Sequence, residues 1–161
     1  MPWHQRTVSS VGYLDDDESM ARKVVSKPKP FKLRRSASAR APTVVLVDDD
    51  FQVRRAFERL LREHGLKVTS FERPSEVLVS RLPATEVVLI ADIYMPEMTG
   101  VALCQQLQAR GLNIPTILIT GHLDEHAILY GTQIQAVSVL FKPIEEKDLL
   151  EAIGQALRVI Y

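Results

Sequence analysis

Three consecutive carboxylates, Asp48, Asp49 and Asp50, end the apolar run Val44–Val47. A fourth, Asp92, ends a second apolar run, Val87–Ala91. The hydroxyl of Thr120 and the ammonium of Lys142 end two more, Pro115–Ile119 and Val137–Phe141. If these groups meet, the carboxylates cannot all stay ionised unless a cation joins them. A hard divalent ion with oxygen ligands answers that need. Two or three carboxylates, a backbone carbonyl and waters suit Mg²⁺, which often shares its shell with a phosphate. No His or Cys stands in a pattern that suggests zinc. Lys142 offers a movable point charge for a phosphate, and Thr120 and the amide of Gly121 offer it hydrogen bonds. Such a site would hold a phosphoryl group against one carboxylate. Asp92 is therefore a candidate nucleophile for phosphoryl transfer, with an acyl phosphate as the product.

These residues meet only if the runs that carry them lie side by side and point the same way. The pattern provides for that. Thr43–Val47 reads as a buried strand. Phe51–His64 follows with apolar residues at Phe51, Val53, Ala56, Phe57, Leu60 and Leu61, a helical spacing, and Gly65 closes the helix. Leu66–Phe71 is a short alternating strand. Pro74 suits the first turn of a helix running to about Arg81. Val87–Ala91 is the third strand. Gly100–Arg110 is a helix with Val101, Leu103, Cys104 and Leu107 inward. Pro115–Ile119 is the fourth strand, Asp124–Ile134 a helix weakened by Gly131, Val137–Phe141 the fifth strand and Glu146–Val159 the last helix. Apolar strands alternating with amphipathic helices call for a parallel sheet covered on both faces, with right-handed crossovers. The expected fold is α/β: a five-stranded, doubly wound parallel sheet flanked by five helices. In such a sheet ligands bind beyond the carboxyl ends of the strands, where the candidate residues fall. Asp50 is read as the cap of the first helix rather than a metal ligand.

The chain has 161 residues, 46% hydrophobic and 25% charged, which fits one globular domain with an extension. No apolar run is long enough to span a bilayer, and no membrane role is expected. The one cysteine, Cys104, rules out an internal disulfide and a thiolate metal cluster; it reads as a small core residue. A cytoplasmic protein is expected. The net charge of zero conceals an asymmetry. Residues 1–41 hold nine Lys or Arg against four acids, and residues 42–161 hold eleven against sixteen. From Ala21 to Pro42 there are eight basic residues, three prolines and no acid. Such a segment cannot bury enough surface to offset its ordering entropy, so residues 1–41 are expected to be a disordered arm and 42–161 the folded domain. The arm reads as a solvated tail, a translation start placed ahead of Met20, an electrostatic contact for nucleic acid or anionic membrane, or a modification site around Arg34-Arg35-Ser36.

Four motifs carry a resemblance: VDDD at Val47–Asp50, ADIYMPEMTG at Ala91–Gly100, ITGH at Ile119–His122 and FKP at Phe141–Pro143. In this order, each at a strand end, they resemble the receiver domain of two-component response regulators, of flavodoxin-like, CheY-like fold, and the TGH form is similar to receivers of the FixJ type. The resemblance spans about 120 residues. It implies Asp92 as phosphoacceptor, Asp49 as a direct Mg²⁺ ligand, Asp48 holding the ion largely through water, and the backbone carbonyl of Tyr94 as a further ligand. It implies Thr120 as the switch hydroxyl, Lys142 as the phosphate-contacting lysine, and a cis bond at Lys142-Pro143. Its expected partners are a histidine kinase or a histidine phosphotransfer protein, and a downstream protein reached through the face of helix four, strand five and helix five.

Two departures from the family pattern stand out. Val139 occupies the place, three residues before the lysine, where receivers carry the Tyr or Phe that swings with the threonine. The small-residue turn before strand five reads QIQAVSV. The bulky Tyr94, two residues after the acceptor, would shield an acyl phosphate from water. His122 and His126 read as exposed residues of a loop and a helix. The expectation is a stand-alone receiver that signals by phosphorylation-dependent protein contact, is not an enzyme beyond its own phosphorylation and acyl-phosphate hydrolysis, and does not use DNA as a partner. Its alternative is a pseudo-receiver that binds partners without phosphate. A small-molecule phosphotransferase or phosphatase fits less well: the haloacid dehalogenase type needs a second Asp where Tyr94 stands. A dinucleotide enzyme would need glycines where the three carboxylates are.

Overall fold

The computed structural model describes residues 41–83, 86–121 and 125–160. The expectations for residues 1–40, for His122 and for a helix start at Asp124 fall outside them. Five strands and five helices alternate: β1 (Thr43–Val47), α1 (Phe51–Glu63), β2 (Lys67–Phe71), α2 (Pro74–Val79), β3 (Val87–Asp92), α3 (Gly100–Ala109), β4 (Thr116–Thr120), α4 (Glu125–Gln133), β5 (Ser138–Phe141) and α5 (Glu146–Ile160). The sheet order is β2-β1-β3-β4-β5, with all pairs parallel. This is the five-stranded, doubly wound parallel sheet expected from the pattern, in the flavodoxin-like, CheY-like form that the resemblance implies, and the element limits differ from the sequence reading by a residue or two.

Alternation along the strands divides the core in two. Val45, Val47, Leu89, Ala91 and Leu118 face Val77 of α2, Leu103 and Leu107 of α3 and Ala127 of α4. Val44, Leu46, Val88, Ile90, Ile117 and Ile119 face Leu61 of α1 and Leu149, Ile153 and Ala156 of α5. Because both faces are covered, every residue of β3 is buried, which is why that strand reads as an unbroken apolar run. Each fully buried Val, Leu or Ile contributes about 1.5–3 kcal/mol.

Helix ends follow their sequence signals. Asp50 caps α1, its carboxylate accepting from the amides of Gln52 (2.7 Å) and Val53 (3.3 Å). Thr99 caps α3 by accepting from the amide of Ala102. Gly65 turns the chain after α1 at φ 78°, a conformation that only glycine takes without strain. The apolar stripe of α1 is narrower than its sequence suggests: Leu61 is buried, Val53, Phe57 and Leu60 are half-buried, and Phe51 and Ala56 are exposed. The inward residues of α3 are those expected, and Cys104 lies in its core. His126 is exposed on α4, as expected. The altered turn before β5 leaves Gln135 at φ 54°, a left-handed conformation that costs a side-chain-bearing residue about 1–2 kcal/mol.

Candidate functional site

Parallel pairing brings the strand ends to one edge. Val47 pairs with Ala91, so Asp48 and Asp92 leave neighbouring strands at the same height. Asp92 pairs with Ile119 and Thr120 with Phe141, which sets Thr120 and Lys142 one residue further along. Backbone bonds continue the sheet past the strands: Asp48 N–H to Phe71 O (3.3 Å), Ile93 N–H to Ile119 O (2.8 Å) and Lys142 N–H to Thr120 O (2.7 Å). Gly100 N–H then donates to Ile93 O (3.0 Å), folding the MPEMTG loop back on the site. A side chain at residue 100 would collide with the carbonyl oxygen of Asp92, so this close approach requires glycine.

Lys142 Nζ stands between two buried carboxylates, 2.8 Å from Asp48 Oδ2 and 2.5 Å from Asp92 Oδ2. The other oxygens of the pair are also held. Asp48 Oδ1 accepts from Asp50 N–H (2.8 Å), and Asp92 Oδ1 accepts from Tyr94 N–H (3.0 Å). Carboxylate oxygens of Asp48, Asp49 and Asp92 all lie within 4.8 Å of one another; Asp49 is exposed and the other two are buried. The lysine and its partners are electrostatically coupled. Burial holds the Asp48 carboxyl above its ordinary range, and Lys142 offsets only part of that cost. Burial also opposes the Lys142 ammonium, but Asp48 and Asp92 together outweigh it and leave its pKa above the usual lysine value.

The sequence candidates thus gather as follows. Asp48, Asp49, Asp92 and Lys142 form one cluster. Thr120 is buried at the end of β4, beside Phe141 and bonded through its carbonyl to Lys142. Gly121 is exposed directly after it. Tyr94 gives its amide to Asp92 and is itself 36% exposed. The Lys142-Pro143 peptide is cis. Val139 lies half-buried on β5 against the core. Three oxygen donors of hard character, one of them reaching solvent, fit a small divalent cation.

One residue of this region escaped the sequence reading. Arg54, at the end of the first turn of α1, is 9% exposed, and its Nη1 donates to Asp48 O at 2.7 Å. Its Nη2 reaches Glu72 Oε2 at 3.4 Å, and its guanidinium lies 5.8 Å from the Phe51 ring centroid. A signal was present: Arg54 precedes Leu61 by seven residues and therefore shares its inward face.

Comparison with known proteins agrees with this geometry. The sequence profile of the response regulator receiver domain matches residues 44–154. The chain is 39% identical over 117 residues to the DNA-binding transcriptional regulator NtrC of Salmonella typhimurium, covering 73% of this chain and 24% of NtrC. It is 37% identical over 125 residues to the response regulator protein TodT of Pseudomonas putida, covering 78% of this chain and 55% of TodT. It therefore spans about a quarter of one relative and about half of the other. Among solved structures, the response regulator StyR superposes with a TM-score of 0.70 at 39% identity, over 75% of this chain and 61% of StyR. The N-terminal domain of FixJ gives a TM-score of 0.70 at 32% identity, over 76% of this chain and 98% of that domain. From the matched profile, these relatives and the shared fold, the chain belongs to the response regulator receiver domain family of two-component systems.

Proposed function

We infer that this receiver takes a phosphoryl group onto Asp92 from a phosphohistidine of a sensor histidine kinase or a histidine phosphotransfer protein, in a Mg²⁺-dependent reaction, and that the folded domain of residues 42–161 suffices for it. The observation that carries the reading is the cluster itself: Lys142 Nζ bridging Asp48 and Asp92, with a third carboxylate at the surface.

A carboxylate oxygen of Asp92 attacks phosphorus and forms an acyl P–O bond as the P–N bond of the donor breaks. The electron pair returns to the imidazole nitrogen, which takes up a proton. Asp48, Asp49, Asp92 and the carbonyl of Tyr94 would hold Mg²⁺, which when bound neutralises phosphoryl oxygens in the transition state. Lys142 turns from Asp92 to a phosphoryl oxygen, and Thr120 and the Gly121 amide donate to the others. The Tyr94 ring at the rim limits access of water to the product. Output runs by protein contact through the face of α4, β5 and α5, within a cytoplasmic setting. NtrC is by name a DNA-binding regulator, so the expectation that DNA plays no part draws no support from the relatives.

The test is direct. Incubation with Mg²⁺ and acetyl phosphate should add one phosphoryl mass to the chain and none to Asp92→Asn. A folded chain that binds Mg²⁺ yet gains no mass would instead favour the phosphate-independent interaction module, the reading to which Val139 in the aromatic position points.

A further inference from the structure

We propose that Arg54 is a positioning residue for the divalent-cation site: it fixes the peptide plane that joins Asp48 to Asp49. The proposal rests on the Mg²⁺ reading given above. The carbonyl of Asp48 belongs to the same peptide unit as the amide of Asp49, so whatever holds that oxygen sets the rotation of the plane and the direction in which Asp49 leaves it. Arg54 Nη1 holds it at 2.7 Å, from a helix one turn further on.

The neighbouring peptide unit is held from outside as well, since Asp48 N–H donates to Phe71 O on β2 (3.3 Å). Asp48 is thereby clamped between β2 and α1. Its side chain is tied to Asp50 N–H and Lys142 Nζ. Asp49 is exposed, and the plane fixed by Arg54 sets the start of its side chain. Mg²⁺ demands near-ideal octahedral geometry at about 2.0–2.1 Å, so a small swing of this plane displaces one ligand relative to the other two. Arg54 itself is seated for the task. It is buried under α1, packed against the Phe51 ring, and steered at its outer edge by Glu72. The Glu72 side chain is 57% exposed, so that contact orients rather than anchors.

Charge and position make opposite predictions, which separates them. A guanidinium next to a cation site repels the cation, so electrostatics alone says that its removal tightens Mg²⁺ binding. Positioning says that removal weakens it. The experiment is calorimetric titration of the full chain with MgCl₂, for the unsubstituted protein, Arg54→Met and Arg54→Lys, with metal-free thermal unfolding followed by circular dichroism. Arg54→Met should keep the folded spectrum and bind Mg²⁺ about tenfold more weakly, the scale on which outer partners of metal ligands act. Arg54→Lys, with its charge kept and its fork lost, should fall between. Unchanged or tighter binding in folded Arg54→Met overturns the proposal, whatever happens to its melting temperature. If Arg54→Met does not fold, Arg54→Lys decides: weakened binding supports the proposal and unchanged binding overturns it. Absence of Mg²⁺ binding in the unsubstituted chain overturns the metal reading and this proposal together, and is seen before any variant is made.

Discussion

At the scale of single residues, the physics of this receiver turns on where charge is buried. Asp48 and Asp92 are almost wholly enclosed, and the Lys142 ammonium between them offsets the cost of burying their charge. Cys104 shows the other outcome of burial. Its thiol is pushed up to about 11 from an ordinary value of 9.0, chiefly by desolvation. The native state then holds the thiol proton more tightly than the unfolded chain does. The associated stability is present below pH 9 and is lost as pH rises from 9 toward 11. Relative to Cys104→Ala, the native protein should lose up to about 1.4 kcal/mol per pH unit in that window. Denaturant titrations of both proteins at a series of pH values check this, and parallel pH curves would refute it. The comparison removes the contribution of Lys142, whose stabilisation is also lost at alkaline pH, because both proteins retain it.

At the scale of elements, the unusual feature is the seam between α4 and β5. A Cβ placed on Gly131 would meet Val139 Cγ2 at 2.6 Å. The helix glycine that weakens α4 in the sequence is thus the notch that admits the side chain standing in the aromatic position. Gly→Ala in a helix interior ordinarily stabilises by about 1 kcal/mol. Here overpacking against a stiff β-branched neighbour costs about 1–3 kcal/mol, and the cost should win. Gly131→Ala is therefore expected to destabilise the protein, whereas in a Val139→Ala background the same change should stabilise it. A double-mutant cycle by chemical denaturation gives both values. A stabilising Gly131→Ala with Val139 in place would show that the seam has room to spare.

At the scale of the whole molecule, metal binding and folding should be linked. An ion that binds the folded cluster and not the unfolded chain stabilises by mass action, by about 2.7 kcal/mol at a hundred times Kd. Mg²⁺ should raise Tm in a saturable way, EDTA should reverse the rise, and Asp49→Asn should abolish most of it while leaving the metal-free Tm nearly unchanged, because Asp49 is exposed. A Tm indifferent to Mg²⁺ in the native chain would contradict the proposed site. Among the described residues, no helix is long and apolar enough to cross a membrane.

The sequence by itself determined the sheet and its polarity. Unbroken apolar runs such as Val87–Ala91 exist only where both faces of a strand are covered, and amphipathic helices between them force parallel pairing. Those two facts place Asp48, Asp92, Thr120 and Lys142 at one edge before any contact is known. Asp50 as a cap and Cys104 as core were legible for the same reason, since each depends on local position within one element. What the tertiary structure alone decided lies between elements. The inward turn of Arg54 onto the carbonyl of Asp48, the bridging of Lys142 across two carboxylates, and the fit of Val139 into Gly131 each depend on distances between residues far apart in the chain. Periodicity says which face a side chain occupies. Only packing says what stands opposite it.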